Sequence, residues 1–295
     1  MSNKIEYVKD SFEEYLGKLD HVSSSDIKNF LKSPQYYLSK RGKLESEDAD
    51  DDEDTSKGEF VQPKSHFAVG SAAHELIMEP HYFDEHYFVI PKLDKRTKQG
   101  KADYELYVHH AGNRVIINQE QMDMMKQMAL NAQKNHTMVD LMSDCMFEVS
   151  CYGIDEKTGL GIRVRPDILP NKKSTIVDIK TCRSSSPKNF RNDVFKFDYS
   201  ISSAFYSDLL GRENYVFAAF EKQAPYQLSL FALDDDKVEY GRSQYRMALD
   251  LLRWSIDNDY WCNYVEFEIL KEAYLLGNLN GFKETLKESE LIQII

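Results

Sequence analysis

The chain has 295 residues, of which 42% are hydrophobic and 29% are charged, as is usual for a globular protein. This composition excludes a collagen-like, disulfide-stapled or wholly disordered chain. The net charge of −12 argues, for the chain as a whole, against a nucleic-acid partner, because domains that bind DNA usually have a basic surplus.

The negative charge is concentrated in one segment. Positions 45–54 contain eight acidic residues and no basic residue, so removing them brings the net charge of the other 285 residues from −12 to −4. Like charges at this density repel one another and cannot pack into a core. We therefore predict an acidic disordered loop over residues 45–57. A regulatory role, or mimicry of DNA over a basic groove, is the alternative to an idle loop.

Cysteine spacing and hydropathy predict the cellular setting. The four cysteines form no C-x-x-C pair, which favours reduced, buried thiols over a zinc site or an iron–sulfur cluster. The first thirty residues have no apolar segment typical of a signal peptide, and no run of about 18 apolar residues could span a membrane. We expect a cytoplasmic protein with no iron–sulfur cluster and no membrane partner.

Capping residues predict short helices near the N-terminus. The run Ser23–Asp26 offers N-caps for one helix, and Ser33-Pro34 caps and begins a second. A third helix is predicted over residues 67–79, with Gly70 and His74 on one face.

Two further segments precede the predicted sheet. Residues 95–101 are basic and predict a turn. Residues 118–142 predict two helices divided near Asn135-His136. The methionines of these helices are better explained as core residues than as a binding surface.

From residue 146 the hydrophobic period changes to that of β-strands. Three antiparallel strands are predicted at 146–152, 161–168 and 174–181. The elements that follow are predicted as helices at 187–193 and 199–211, strands at 215–220 and 226–233, and helices at 236–257 and 265–287. We predict one domain over residues 1–295 of the α/β (α+β) class. It would combine a helical N-terminal part with a small mixed sheet, an antiparallel meander flanked by helices, at about residues 146–235.

Two acidic residues and a lysine lie on neighbouring predicted strands. Asp167 follows Pro166. Asp178 and Lys180 are two positions apart on the next strand, so their side chains lie on the same face. A carboxylate is costly to bury unless it is paired or bound to a metal, and two adjacent carboxylates repel unless a cation joins them. Oxygen ligands suit Mg²⁺, which activates water and polarises a phosphodiester, and an adjacent ammonium stabilises charge that develops on the phosphate.

The pattern Pro166-Asp167…Asp178-Ile179-Lys180 resembles the signature of the PD-(D/E)XK nucleases. Residues 70–75 resemble the upstream helix of the RecB-like and phage-exonuclease branches, and Glu148 matches an acidic residue often found before the signature. Residues 198–208 resemble the following helix of the exodeoxyribonuclease VIII (RecE) nuclease domain. The resemblance covers about residues 20–260.

The resemblance implies a restriction-endonuclease-like core with a metal site. It implies that Mg²⁺, which Mn²⁺ can replace, is bound by His74, Asp167, Asp178 and the main-chain carbonyl of Ile179. Lys180 would position the attacking water as a catalytic residue. Glu148 and Tyr206 are expected to support the ligands.

The family also implies an activity and partners. RecE-type nucleases degrade one strand of linear duplex DNA in the 5′→3′ direction and leave 3′ single strands for recombination, which a partner protein anneals. We therefore expect the chain to act at double-strand ends as a ring-shaped homo-oligomer, for example a tetramer, in a bacterial or phage-infected cell.

The chain departs from the family pattern at one position. Related nucleases have a Gln-x-x-x-Tyr pair on the helix after the signature, and Tyr206 matches its tyrosine. Ser202 stands where the glutamine would be, and serine is too short to reach DNA or the metal ligands in the same way. How the strand or end is positioned therefore stays open, with Gln227 as one candidate substitute.

Regional charge favours a DNA-facing surface near the signature. Residues 161–200 contain nine basic and four acidic residues. The predicted phosphate contacts are Arg96, Lys98, Lys101, Arg163, Arg165, Arg183, Lys188 and Arg191. The aromatic residues interleaved with the basic ones are Phe190, Phe195, Phe197 and Tyr199. Some of them are expected in the core, and one or two could stack at a DNA end.

Three alternatives remain open. A RecB-like nuclease would use the same core, but the chain lacks the clustered cysteines of its iron–sulfur relatives. An endonuclease would cut covalently closed circular DNA. A catalytically silent DNA-binding or inhibitor protein on the same fold would bind DNA without Mg²⁺-dependent turnover.

Overall fold

A computed structural model describes residues 4–45, 65–282 and 286 of the chain. The β-strands in these segments are β1 Glu6–Val8, β2 His21–Val22, β3 Tyr87–Ile90, β4 Val115–Asn118, β5 Cys145–Phe147, β6 Ser150–Ile154, β7 Gly161–Val164, β8 Ile168–Pro170, β9 Thr175–Cys182, β10 Asn214–Glu221 and β11 Leu228–Ala232. The α-helices are α1 Phe12–Leu16, α2 Ser24–Lys32, α3 Pro34–Glu45, α4 Ser65–Met78, α5 Phe83–His86, α6 Lys98–Ala111, α7 Gln119–Lys134, α8 His136–Met142, α9 Pro187–Lys196, α10 Tyr199–Leu210, α11 Asp235–Asn258 and α12 Tyr264–Leu275. None of the helices in the described segments is long and apolar enough to cross a membrane.

The larger sheet has five strands in the order β11-β10-β9-β8-β5. β9 lies at its centre, parallel to β10 along its whole length and antiparallel to β8. The apolar side chains of β9 are buried on both faces, which is typical of a central strand in a parallel pair. β9 is therefore a rigid support for the residues that it bears.

A second sheet has four strands in the order β1-β6-β7-β2. The chain passes between the two sheets twice, once from β5 to β6 at Glu148 and once from β7 to β8 at residues 165–167. The two crossings lie side by side, because the Glu148 main-chain amide donates a hydrogen bond to the Asp167 carbonyl at 3.0 Å. They bring residues from both sheets to one place.

Helices cover both faces of the larger sheet. On one face, α2, α10 and α11 pack with a cluster of buried side chains that includes Phe30, Phe205 and Phe217. α10 and α11 approach closely at Gly241, where a Cβ atom would lie 2.0 Å from the Ser200 carbonyl oxygen. On the other face, α4 and α7 pack on a second buried cluster.

The predicted three-stranded meander is divided between the two sheets. The alternating run at 146–152 is not one strand but β5 and β6, separated by Glu148, whose φ of +43° turns the chain out of the extended conformation. The run at 161–168 is likewise β7 and β8, separated by residues 165–167. Period-2 alternation does not reveal such a crossing, because the pattern resumes in the next strand.

Other expectations for the elements are confirmed or corrected by the structure. The two helices predicted within 118–142 are α7 and α8, and the helices and strands predicted between 187 and 257 are present. The turn predicted at 95–101 is wrong in its second half, because Thr97 caps α6, which begins at Lys98. The last predicted helix is shorter than expected and ends at Leu275. The acidic loop predicted over 45–57 lies, apart from Glu45, outside the described residues.

Candidate active site

Asp167 is fixed between the two sheets. It lies at the end of the crossing from β7 to β8, directly after Pro166. This proline restricts the conformation of Arg165, the residue that precedes it in the crossing. Its Oδ2 atom accepts a hydrogen bond of 2.6 Å from the main-chain amide of Ile179. The carboxylate is therefore attached to the middle of β9.

Asp178 and Lys180 project from the same face of β9. The Lys180 ammonium lies 2.6 Å from Asp178 Oδ2, and the two side chains are 28% and 14% exposed, respectively. Burial alone would lower the pKa of Lys180, but the charges of Asp178 and Asp167 outweigh it and raise that pKa above its ordinary value. Lys180 is therefore a cation at neutral pH.

The two carboxylates influence each other strongly. Burial, together with the negative charge of Asp178, raises the pKa of Asp167 to about 8. Asp178 is in ion-pair contact with Lys180, whereas among the described residues no ammonium or guanidinium makes such a contact with Asp167, so Asp167 has no compensating positive charge of its own.

His74 reaches the site from α4, on the other side of β9. Its Nδ1 atom lies 3.7 Å from Asp167 Oδ2. α4 approaches β9 at Gly70, where a Cβ atom would lie 3.9 Å from Thr181 Oγ1. Burial and the positive charge of Lys180 lower the pKa of His74 to about 4, so its imidazole is neutral at pH 7. A neutral imidazole is the form that can bind a metal.

Glu148 and Arg165 form an ion pair beside these residues. The Arg165 guanidinium lies 3.2 Å from Glu148 Oε2 and donates to Ser150 Oγ at 2.9 Å and to the Asp10 carbonyl at 3.0 Å. The pair therefore orients the Glu148 carboxylate. Glu148 lies in the crossing between β5 and β6, which corrects its predicted place on a strand.

A cavity of about 1160 Å³ opens onto this group of residues. Its lining includes His74, Glu148, Asp167 and Tyr206, together with Ser23–Ser25 at the start of α2. Burial raises the pKa of Tyr206 well above its ordinary value, so its hydroxyl stays protonated. His74, Glu148, Asp167 and Tyr206, predicted from widely separated parts of the sequence, thus share one cavity, whereas Asp178 and Lys180 are not among its lining residues.

The predicted DNA contact Arg163 is corrected by the structure. Its side chain is 2% exposed, and its guanidinium donates hydrogen bonds to the Tyr15 and Leu16 carbonyls, the latter at 3.0 Å. Arg163 therefore anchors the C-terminal end of α1 and does not face solvent. The local basic surplus could not reveal this, because Arg163 lies on the face of β7 opposite to Ile162 and Val164, and that face is covered by Tyr15 of α1.

Arg165 is also unsuited to the predicted phosphate contact, since its side chain is 10% exposed and engaged with Glu148. The remaining predicted contacts are exposed, namely Arg96, Lys98, Lys101, Arg183, Lys188 and Arg191. Arg96 forms a bidentate pair with Asp94. Three of these residues follow β9 or lie on α9, and three lie at the start of α6 or just before it.

Lys28 is a residue of this region that the sequence did not indicate. It extends from α2, its ammonium donates a hydrogen bond to the Phe197 carbonyl at 2.9 Å, and it lies 5.8 Å from the centre of the Tyr199 ring. Burial and the charge of Lys180 lower the pKa of Lys28 to about 8, against the opposing effects of Asp178 and Asp198. A single lysine in an amphipathic helix, 152 positions before Lys180, gives no signal in the sequence.

The residues present fit a hard divalent cation. Asp178 Oδ2 is buried and has no hydrogen-bond partner beyond its ion pair with Lys180. The negative charge of Asp178 also raises the pKa of Asp167, so a bound cation would stabilise both carboxylates. In the part of the chain that the structure describes, no three His, Cys, Asp or Glu side chains converge closely enough to hold a metal by themselves. The set of ligands would therefore need the main-chain carbonyl of Ile179 beside the two carboxylates.

Residues 23–271 match the family described as "PDDEXK-like domain of unknown function (DUF3799)". The chain belongs to this family. The matched range includes His74, Glu148, Asp167, Asp178 and Lys180. Membership confirms the predicted PD-(D/E)XK superfamily and supports the prediction of a nuclease.

Comparison with solved structures finds similar chains at low sequence identity. The protein named "Putative exonuclease" from Eubacterium rectale has a TM-score of 0.57 and 16% identity, over 85% of this chain and 88% of that chain. The alkaline exonuclease LHK-Exo from Laribacter hongkongensis has a TM-score of 0.37 and 13% identity, over 84% of this chain and 97% of its own. The first similarity confirms the predicted fold class. No curated protein matches the chain.

Proposed function

We propose that the chain is a Mg²⁺-dependent deoxyribonuclease of the RecE type, which degrades one strand of linear duplex DNA in the 5′→3′ direction. The observation that supports this most directly is the meeting of Asp167, Asp178 and Lys180 at the centre of β9, with His74 beside them. A structural ion pair would need one carboxylate for one ammonium. A second buried carboxylate is costly unless a cation compensates it.

In this proposal the residues have distinct roles. Asp167, Asp178 and the Ile179 carbonyl would hold Mg²⁺, for which Mn²⁺ can substitute, and His74, whose Nδ1 lies 3.7 Å from Asp167 Oδ2, would complete the set after the side chains shift towards the ion. When bound, the ion polarises the phosphodiester and lowers the pKa of a water molecule. Lys180 stays protonated, orients the attacking water and stabilises negative charge on the phosphate in the transition state. Glu148, held by Arg165, and Tyr206 support the site from the cavity.

The substrate is held mainly through its phosphates. The exposed basic residues at the start of α6 and along β9 to α9 are suited to contacts that do not depend on base sequence. Such contacts suit an enzyme that moves along DNA as it degrades it. We further propose a ring-shaped homo-oligomer and a partner protein that anneals the 3′ single strands.

Digestion of labelled DNA tests the proposal. Linear duplex labelled at either the 5′ or the 3′ end is incubated with Mg²⁺, beside covalently closed circular DNA. We expect early release of the 5′ label, gradual shortening of the strand labelled at 3′, and an intact circle. Omission of Mg²⁺ should stop digestion, and Mn²⁺ should restore it.

Two substitutions test the assigned residues. Asp178→Ala removes one of the two carboxylates and Lys180→Ala removes the ammonium, so each should reduce digestion by at least about 10²-fold. The matched control is Lys126→Ala, which removes an exposed lysine of α7 and should digest at the normal rate. Undiminished digestion by both site variants would contradict the assignment.

The alternatives have their own outcomes in the same assay. Cutting of the closed circle would favour an endonuclease, and early release of the 3′ label would favour a nuclease of the opposite polarity. Binding of duplex DNA without turnover in Mg²⁺ or Mn²⁺ would favour a catalytically silent DNA-binding or inhibitor protein.

A further inference from the structure

Three aromatic rings form a stack that begins in the core and ends at the surface near Lys180. The Phe217 ring is fully buried, and the Tyr199 ring lies 5.3 Å from it at an interplanar angle of 23°. Phe197 continues the stack at 5.6 Å from Tyr199 and 27°, and it is 45% exposed. The last ring therefore offers a partly open surface on a rigid support.

Two ammonium groups lie near the middle ring of this stack. Lys180 Nζ lies 5.4 Å and Lys28 Nζ lies 5.8 Å from the centre of the Tyr199 ring. Lys28 also holds the Phe197 segment in place through its 2.9 Å hydrogen bond to the Phe197 carbonyl. The exposed ring is thus one aromatic neighbour away from the lysine assigned to catalysis.

We propose that Phe197, Tyr199 and Lys28 form a nucleotide subsite, in which a base of the DNA stacks on Phe197 and an adjacent phosphate pairs with Lys28. The inference rests on the proposed nuclease function and deepens it. A base is a flat ring that extends the existing stack, and every base has a π face, so stacking needs no particular sequence. A phosphate that follows the base would lie near two ammonium groups, those of Lys28 and Lys180, which are both within 6 Å of the centre of the Tyr199 ring.

The chemistry of the surroundings favours a nucleotide over an apolar protein segment. The ammonium of Lys196 lies 5.1 Å from the centre of the Phe197 ring, so three lysines surround a surface of two rings. Lys196 is exposed and its cation–π contact is weaker than base stacking, so a base can displace it and leave it free to pair with phosphate. An apolar segment would remove water from the exposed Lys196 ammonium and offer it no polar partner.

Phe195 provides a matched control. It is 62% exposed and lies two positions before Phe197, at the end of α9, but it makes no ring-stacking contact among the residues that the structure describes. Both phenylalanines are surface residues, so replacing either by alanine should leave the fold intact. Only Phe197 is part of the stack.

Fluorescence of 2-aminopurine measures the stacking directly. Linear duplexes with 2-aminopurine at the 5′-terminal or the 3′-terminal position, and the corresponding single strands, are titrated with the full chain in EDTA, so that no digestion occurs. We expect quenching at one terminal position with the unaltered protein and with Phe195→Ala. Phe197→Ala should lose the quenching and bind about tenfold more weakly, and Phe197→Tyr should retain both.

Lys28→Met tests the phosphate contact while it keeps most of the side-chain volume. Loss of one phosphate contact should reduce the slope of log affinity against log salt concentration by about one. Normal quenching and affinity with Phe197→Ala, or an equal loss with Phe195→Ala, would overturn the subsite. Failure of the unaltered protein to digest DNA in Mg²⁺ would instead contradict the proposed function, so the two failures are distinguishable.

Discussion

The hydrogen bond from the Ile179 amide to Asp167 explains how a short signature can specify a three-dimensional site. The bond joins the crossing between the sheets to the strand that bears Asp178 and Lys180. Its donor is a main-chain group, so it depends on the register of β9 and not on the identity of residue 179. The spacing of the signature and the register of β9 are therefore enough to bring Asp167 to Asp178, whichever apolar residue lies between Asp178 and Lys180.

Arg163 and Arg191 have the same charge, but burial gives them different roles. Arg163→Met removes hydrogen bonds to the Tyr15 and Leu16 carbonyls and leaves Asp26, 3.8 Å from the guanidinium, with less compensation. We expect it to lower the free energy of unfolding by about 3–5 kcal/mol, as for other broken buried pairs. Urea unfolding, followed by circular dichroism, measures this loss.

The exposed Arg191 gives the opposite result. Arg191→Met should leave the free energy of unfolding within about 0.5 kcal/mol of normal and reduce the salt slope of DNA binding by about one. A normal urea-unfolding curve for Arg163→Met, together with a reduced salt slope of its DNA binding, would contradict the interpretation of Arg163 as a structural residue.

At the scale of elements, the hairpin of β6 and β7 is attached to α11 through Asp155. Its carboxylate lies 2.6 Å from the Arg246 guanidinium and accepts hydrogen bonds from the Thr158 amide and hydroxyl at 3.0 Å and 2.6 Å. Burial alone would raise the pKa of Asp155, but these donors outweigh it and lower the pKa below its ordinary value. The ionised form therefore stabilises the fold.

Asp155→Asn should accordingly destabilise the protein in a pH-dependent way. The contribution of a carboxylate with a lowered pKa is present above its unfolded pKa of about 4 and is lost as the pH falls through the folded value. We expect a loss of about 1–3 kcal/mol at pH 7 that diminishes towards pH 3. The neighbouring exposed Glu156→Gln is the control. Urea unfolding between pH 3 and pH 7 measures the loss of stability, and an equal loss at both pH values would contradict the prediction.

How far the sequence could predict the elements depended on the kind of signal. Helices with side-chain caps were predictable, because Ser23 and Asn135 satisfy main-chain amides within four residues. The crossings at Glu148 and Pro166 were not, because a change of sheet leaves the alternation of side chains intact. The parallel pair β3 and β4 was missed for a related reason: each strand is four residues long, and its partner lies 28 positions away.

The residues of the candidate site also differ in whether their proximity could be predicted from the sequence. Asp167, Asp178 and Lys180 are linked by strand register, so their proximity could be predicted from spacing. Lys28 and the exposed end of the Phe197 stack arise from the packing of α2 against α10, which involves no regular spacing in the chain. Of the residues proposed to hold a nucleotide, Phe197 and Tyr199 were among the four aromatic candidates for stacking at a DNA end, whereas Lys28 was not indicated by the sequence pattern.

At the scale of the whole molecule, the balance of charge differs on the two sides of the candidate site. The wall of the cavity has a mixed charge, because it includes Glu75, Glu79, Glu85 and Glu148 but also Lys9, Lys40 and Arg114. The segment from β9 through α9 instead exposes Arg183, Lys188, Arg191 and Lys196. DNA is therefore expected to approach from the side of α9, where Lys28 and Lys180 lie near Tyr199. The global charge of −12 does not describe either side.

The segment 46–54 has the highest density of negative charge in the chain, with seven acidic residues and no basic ones. If it competes with DNA for the basic surface, a chain lacking residues 46–54 should bind linear duplex more tightly at low salt. The advantage should fall as salt rises, because the screening length shortens from about 30 Å at 0.01 M to about 8 Å at 0.15 M.

A second variant separates charge from chain length in this experiment. It keeps all nine positions but replaces each aspartate by asparagine and each glutamate by glutamine. Because the proposed competition is electrostatic, this variant should match the deletion, with an affinity gain of about tenfold or more in 0.05 M salt measured by fluorescence anisotropy. A gain with the deletion alone would point to steric exclusion. Unchanged affinity in both variants would mean that the acidic segment does not act on the DNA-binding surface.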